Sequence, residues 1–243
     1  MATKLSTFPQ GVPVDLSAND SSSQFQLGAK VVSNDGREFV YALAGGATLV
    51  VGNVLQGPAE VANHQNLAPV ANTAAGSTTL NVTLGNTAAT ASQYAGGWAI
   101  VAVTPGLGQQ LKIKSHPAAA GNGTLLLQLE DPVATAVTLA ASKIDLVANP
   151  YSGVIQSLAS ASGPVVGVAV KAITNAQYGW IQTRGVANVL NEGGVTAGQM
   201  CVVSNATAGA FEAGADATDP QGVIGAAVSA VTTAECGPVN LTL

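Results

Sequence analysis

The feature that most constrains what this chain can fold into is a side-chain period of two. Residues 78–84, Thr-Thr-Leu-Asn-Val-Thr-Leu, put Leu80, Val82 and Leu84 on one face and Thr79, Asn81 and Thr83 on the other. Successive side chains of a strand point to opposite faces, so this is the pattern of a half-buried β-strand. Residues 111–115, Leu-Lys-Ile-Lys-Ser, alternate as sharply. The runs 98–103 and 124–129 are almost continuously apolar, which predicts strands buried on both faces. Gly85-Asn86, Gly96-Gly97, Pro105-Gly106 and Gly121-Asn122-Gly123 punctuate these runs. Glycine and asparagine reach positive φ at low cost and so make tight turns. No long amphipathic helix is present. The best helical segment is 87–94, alanine-rich and followed by Gly96 as a C-cap. Residues 134–142 are ambiguous, with Val and Thr favouring strand. The expected class is all-β, with two small barrel-like or sandwich-like units.

Composition shifts divide the chain. Residues 1–30 are polar, carry Pro9 and Pro13 and the run Asn19-Asp20-Ser21-Ser22-Ser23, and read as an extended N-terminal arm. Residues 63–150 read as a compact β unit between Asn63-His64-Gln65-Asn66 and Asn149-Pro150. Residues 31–62 and 151–243 flank it. A faint echo links 38–55 with 177–203, each a strand and turn leading to a Gly-polar turn and a second strand. A duplicated hairpin and chance similarity explain it equally well. If the echo is real, 31–62 and 151–243 pack as one discontinuous domain with 63–150 inserted.

The composition excludes several kinds of function. Only 9% of the 243 residues are charged, against 47% hydrophobic, where soluble proteins usually carry about 25% charged residues. A chain this poor in charge is expected to cover its surface with other protein. The net charge of −5 and the scattered cations argue against a nucleic-acid partner. The apolar runs are too short for a membrane helix, and the N-terminus has no hydrophobic signal-peptide core.

Chemistry has little to work with. His64 lies in a polar loop and His116 precedes Pro117, 52 residues on, so each reads as a surface or turn residue. Cys201 and Cys236 lack metal-ligand spacing and read as free thiols in the core, with pairing between neighbouring strands left open. Glu130-Asp131 is the one adjacent carboxylate pair, but neighbouring strand residues face opposite ways and Asp-Pro opens turns. No nucleophile elbow, phosphate loop or zinc signature is present, so no enzyme, cofactor or metal is expected. Trp98 sits in an apolar run and reads as core. Trp180 alternates with Tyr178 and Gln182 and suits either core or a subunit contact.

The strand Tyr178-Gly-Trp-Ile-Gln-Thr-Arg-Gly185, followed by Val195-Thr-Ala-Gly-Gln-Met200, Thr207-Ala-Gly209 and Pro220-Gln-Gly-Val-Ile-Gly225, resembles head structural proteins of tailed bacteriophages. Gln93-Tyr-Ala-Gly-Gly-Trp98, Ile113-Lys-Ser-His-Pro-Ala118, Glu130-Asp-Pro132 and Asn149-Pro-Tyr151 are similar to virion proteins of aquatic phages. The resemblance spans most of residues 38–243 and marks architecture rather than an active site. It implies a capsid decoration (cement) protein, made in the host cytoplasm and placed on the capsid surface. Its partners would be the major capsid protein and its own copies in a homotrimer, with open sheet edges closed by neighbours and the arm laid along them. The alternative is a head fibre or tail component that binds a host receptor. For the decoration protein the candidate interface residues are Tyr178, Trp180, Arg184, Glu130 and Asp131.

Overall fold

The computed structural model describes residues 6–7, 13–160, 162–214 and 222–243. The arm's residues 1–5 and 8–12, and Pro220-Gln221 of the phage-like motif, lie outside the described residues. Among the described residues eighteen strands follow in chain order. They are β1 (Ser6–Thr7), β2 (Pro13–Val14), β3 (Lys30–Val32), β4 (Glu38–Ala44), β5 (Val54–Gln56), β6 (Ala68–Pro69), β7 (Thr79–Thr83), β8 (Trp98–Val103) and β9 (Gln110–Ser115). Then come β10 (Thr124–Leu129), β11 (Lys143–Val147), β12 (Ser152–Gln156), β13 (Val165–Val168), β14 (Tyr178–Leu190), β15 (Met200–Val203), β16 (Phe211–Ala213), β17 (Val223–Ala227) and β18 (Cys236–Thr242). The described residues hold no α-helix, only a 3₁₀ turn at Ala62–His64. The chain is all-β, as its period of two predicts. It divides into two compact units, one of residues 1–58 and 150–243, the other of residues 59–149.

In the second unit the sheet order is β11-β8-β9-β10-β7-β6, and the bridge Leu67↔Ile144 joins the two ends into a barrel. The inward residues of every strand, among them Leu80, Val82, Val101, Ile113, Leu125, Leu127 and Ile144, form one buried cluster. The wall has a single core face, and this corrects the reading of the apolar runs. Leu125 and Leu127 are fully buried while Leu126 between them is 45% exposed. Along β8, Ala99 and Val101 point in, whereas Trp98 and Ile100 are half-buried on the outer wall and Val103 is exposed. Trp98 is therefore not core. Its ring is covered from outside by Lys112, whose ammonium lies 4.2 Å from the ring centroid and donates to the Gly96 carbonyl at 2.5 Å.

The expected helix at 87–94 does not form. Ala89 bridges Ala119 across the barrel end, and the chain turns through 91–96 with Ser92 at φ 59°. Alanine's helix preference is worth only fractions of a kcal/mol per residue, and burying Tyr94 outweighs it. Residues 134–142 form no element either, only a single bridge from Val137 to Thr73 and turns.

The first unit holds two closed sheets that share β14. The circuit β4-β14-β13-β5-β12, closed by the β12–β4 pair, is a five-stranded barrel. Its interior is Val40, Ala42, Ala44, Leu49, Leu55, Val154, Val166, Ala169, Ile173 and Ile181. Past Arg184, β14 leaves β4 and pairs with β18 through Leu190↔Cys236. There β18, β17, β15 and β16 curl round a second core that includes Val189, Cys201, Val203, Phe211, Ile224, Val239 and Leu241. The bridge Asn191↔Phe211 brings β16 back to the end of β14.

The handover occurs at a β-bulge between Gln182 and Arg184. The buried Gln182 side chain donates to the carbonyls of Arg184, Gly185 and Val186 at 3.0, 3.2 and 3.1 Å. Gly185, at φ +80°, supplies the left-handed residue that turns the strand. At Gly225 the second sheet leaves no room for a side chain, because a Cβ there would overlap the Asn240 carbonyl oxygen.

Residues 14–29 are not the extended arm expected of them. Val14 is buried, and Leu16, Phe25, Leu27 and Ala29 pack on Phe39, Tyr41 and Trp180, the outward side chains of β4 and β14. The segment is also pinned by Asp20↔Tyr178 backbone pairing. Ser21 and Ser22 sit at a bend, while Val14 and Leu16 before it and Phe25, Leu27 and Ala29 after it, alternate residues, reach the barrel wall. The first strands of the two echoing segments, β4 and β14, are direct neighbours, with Trp180 opposite Tyr41 and Gln182 opposite Phe39.

Candidate functional site

The five interface candidates do not form one site. Tyr178, Trp180 and Arg184 lie on β14 in one unit, and Glu130 and Asp131 follow β10 in the other. Trp180 is a core residue rather than a contact residue, 1% exposed, with its ring 5.0 Å from Tyr41 and 5.4 Å from Phe25. Tyr178 is half-buried and stacks on Tyr41 at 5.9 Å. The residues read as a contact stripe are the platform on which residues 14–29 rest.

Arg184 remains at the surface, its side chain 64% exposed. It meets Glu38 of its own chain at 3.8 Å, and Glu38 is held more tightly by Lys30 at 2.6 Å. The hydrogen bond from Lys30, with the Lys30 and Arg184 charges, keeps the Glu38 carboxyl below the usual carboxylate range. Such an exposed network is worth little to stability. Glu130 and Asp131 are both exposed, and among the described residues neither side chain makes a hydrogen bond or ion pair.

The two histidines, read as surface or turn residues, are buried, His64 fully and His116 to 4% exposure. The cysteines separate: Cys201 is buried, Cys236 is exposed, and both are free thiols. Burial pushes the Cys201 thiol up to about 11. Ser204 is buried against the Glu192 carboxylate, but its oxygen already accepts the Ala206 and Thr207 N–H groups, so it is a turn residue and not a nucleophile. Among the described residues no three His, Cys, Asp or Glu side chains come together to hold a metal ion. A half-open groove of about 260 Å³ beside β7 is lined by Asn72, Thr73, Ser77, Thr79 and Asn81. It carries no titratable group to do chemistry.

The surface with the clearest character is the outer face of the second sheet of the first unit. Direct cross-strand pairing sets Val186, Asn240, Ala226 and Met200 in one row. Asn188 and Pro238 form the next, with Val228 hydrogen-bonded to Pro238. Val186, Met200 and Val228 are 49%, 45% and 50% exposed. Arg184, opposite Thr242, borders these rows on one side, and Glu212, opposite Val202, borders them near Met200. Sequence reasoning missed this face because it needs the pairing of β14, β15, β17 and β18, which no local pattern reveals. The only hint was the alternation after Gly185, with Val186 and Asn188 facing away from Ala187 and Val189.

Compared with known protein families, curated protein sequences and solved structures, the chain matches none. No helix among the described residues is long and apolar enough to cross a membrane.

Proposed function

We propose that this protein is a structural component of a tailed-phage head, a decoration protein that binds the outside of the shell and its own copies. The observation that carries the reading is the uncharged outer sheet face of Val186, Asn188, Met200, Val228 and Asn240 on a chain with only 9% charged residues. A face of exposed Val186, Met200 and Val228 with uncharged Asn188 and Asn240 among them suits burial against other protein. The sheets close on themselves through Leu67↔Ile144, β12–β4 and Asn191↔Phe211. Beside these closures β3, β1 and β2 run outward from β4 and end in an edge at β2, so association would run through sheet faces, loops and that short edge.

The test is a pair of surface substitutions, Val186→Glu and Met200→Glu, in the full chain. Light scattering reads the oligomer and co-sedimentation with undecorated heads reads binding. The expected result is loss of one or both with the fold intact by circular dichroism. Wild-type association and head binding in the double variant would sink the assignment of this face. Attachment of the wild-type protein to host cells but not to heads would favour the receptor-binding reading.

A further inference from the structure

Both histidines of the chain meet the same tyrosine. The Tyr94 hydroxyl donates to His64 Nδ1, and His64 Nε2–H donates to the Thr87 carbonyl at 2.9 Å. On the other side the Tyr94 backbone N–H donates to His116 Nε2 at 2.9 Å, and His116 Nδ1–H donates to the Pro117 carbonyl at 2.8 Å. The proton positions follow from the partners. Carbonyl oxygens only accept and a backbone N–H only donates, so each ring carries one proton, on the nitrogen that faces a carbonyl. Tyr94 is 2% exposed, and burial pushes its phenol up to about 12. This trio links the loop after β7 with the loop after β9. The same junction is held by Ala89↔Ala119 pairing and by the Ser92 N–H on the His116 carbonyl at 3.0 Å.

We propose that His116 is an acid-sensitive latch on this end of the 59–149 barrel, closed while its ring is neutral. The two rings differ in how they would take a second proton. At His64 the new N–H would face a hydroxyl, which can rotate and accept. At His116 it would face the Tyr94 backbone N–H, a donor that cannot reverse. A charged His116 therefore loses its bond to residue 94 and places two donors in contact inside a buried site. Relief comes from opening the 84–97 and 116–123 loops.

The groups packed round the rings do not compensate the charge. From the 3₁₀ turn comes His64, and from the 84–97 loop Tyr94. The charges of β9 lie elsewhere, with Lys112 on the outer wall against Trp98 and Gly96 and Lys114 exposed. No carboxylate bonds to either ring among the described residues.

The experiment is amide hydrogen exchange by NMR on the full chain from pH 7.5 to 5.5, corrected for intrinsic rates. The expected result is at least a tenfold loss of protection at Ala89, Tyr94 and Ala119, with Leu80 and Val82 in β7 unchanged. His116→Gln, which keeps a neutral acceptor, should remove the pH dependence, and His64→Gln should retain it. Protection at Tyr94 that is flat with pH in the wild type, or that falls equally in His116→Gln, overturns the proposal. Should His116→Gln fail to fold, the wild-type imidazole resonances decide. Protonation of His116 coincident with loss of Tyr94 protection supports the latch. Protonation with that amide still protected overturns it.

Discussion

The Tyr41 hydroxyl ties residues 14–29 to the barrel beneath them. It donates to Asp20 Oδ2 at 2.9 Å and accepts the Gln24 N–H at 3.3 Å. Burial, with the neighbouring Asp20 charge, pushes its phenol up to about 12. Tyr41→Phe should cost about 1–2 kcal/mol, read as a lower denaturant midpoint at constant slope. Tyr41 and Tyr94 both have folded values raised above that of free tyrosine, so the stability they confer is complete below about pH 10 and is lost as pH rises through about 12. Unfolding free energy measured from pH 8 to 11.5 should fall with rising pH, and less steeply in Tyr41→Phe; a flat profile contradicts the assignment. The cysteines offer a simpler check. At pH 8 a maleimide should modify Cys236 alone in the native protein and reach Cys201 only on unfolding, as mass spectrometry would count. Equal native rates at both sites would refute the burial of Cys201. At this scale the sequence was least informative. Nothing local distinguishes a buried histidine from an exposed one, Trp98 lies on the outer wall despite its apolar flanks, and the residues around Trp180 left core and contact open.

Among the elements, β10 shows what an apolar run conceals. Thr-Leu-Leu-Leu-Gln-Leu reads as a strand wrapped on both sides, yet it forms one wall of a barrel with a single interior. Leu127→Ala should cost about 2–5 kcal/mol by opening a cavity, and Leu126→Ser should be within about 0.5 kcal/mol of wild type. Chemical denaturation of the two variants side by side checks this, and equal losses would mean that Leu126 is also covered. β4 is the opposite case. Its run Phe-Val-Tyr-Ala-Leu-Ala is also continuously apolar, and here the outer face is covered, Phe39 and Tyr41 lying under residues 14–29. The strands were legible because period two is a local property. The coverage of their second faces was not, because it depends on partners far along the chain.

For the whole molecule, the contact pattern makes residues 59–149 a unit with its own core and a closed sheet. Expressed alone, this segment should fold, with a single cooperative thermal transition and dispersed amide resonances. A collapsed, non-cooperative product would show that the flanking segments are needed. Its placement between residues 58 and 150 leaves the first unit discontinuous, so β4 must find β12 and β14 across the intervening barrel's sequence. Taken by itself, the sequence determined that this is an all-β protein of short strands and glycine-rich turns, poor in charge and in groups able to do chemistry. Those follow from side-chain period, backbone preference and composition, which act within a few residues. Only the tertiary structure decided that the sheets close, that Trp180 is interior, that residues 14–29 lie on a barrel, and that both histidines converge on Tyr94. Each of these depends on strand register and on contacts between residues tens of positions apart, and register has no signature in the residues of one strand alone.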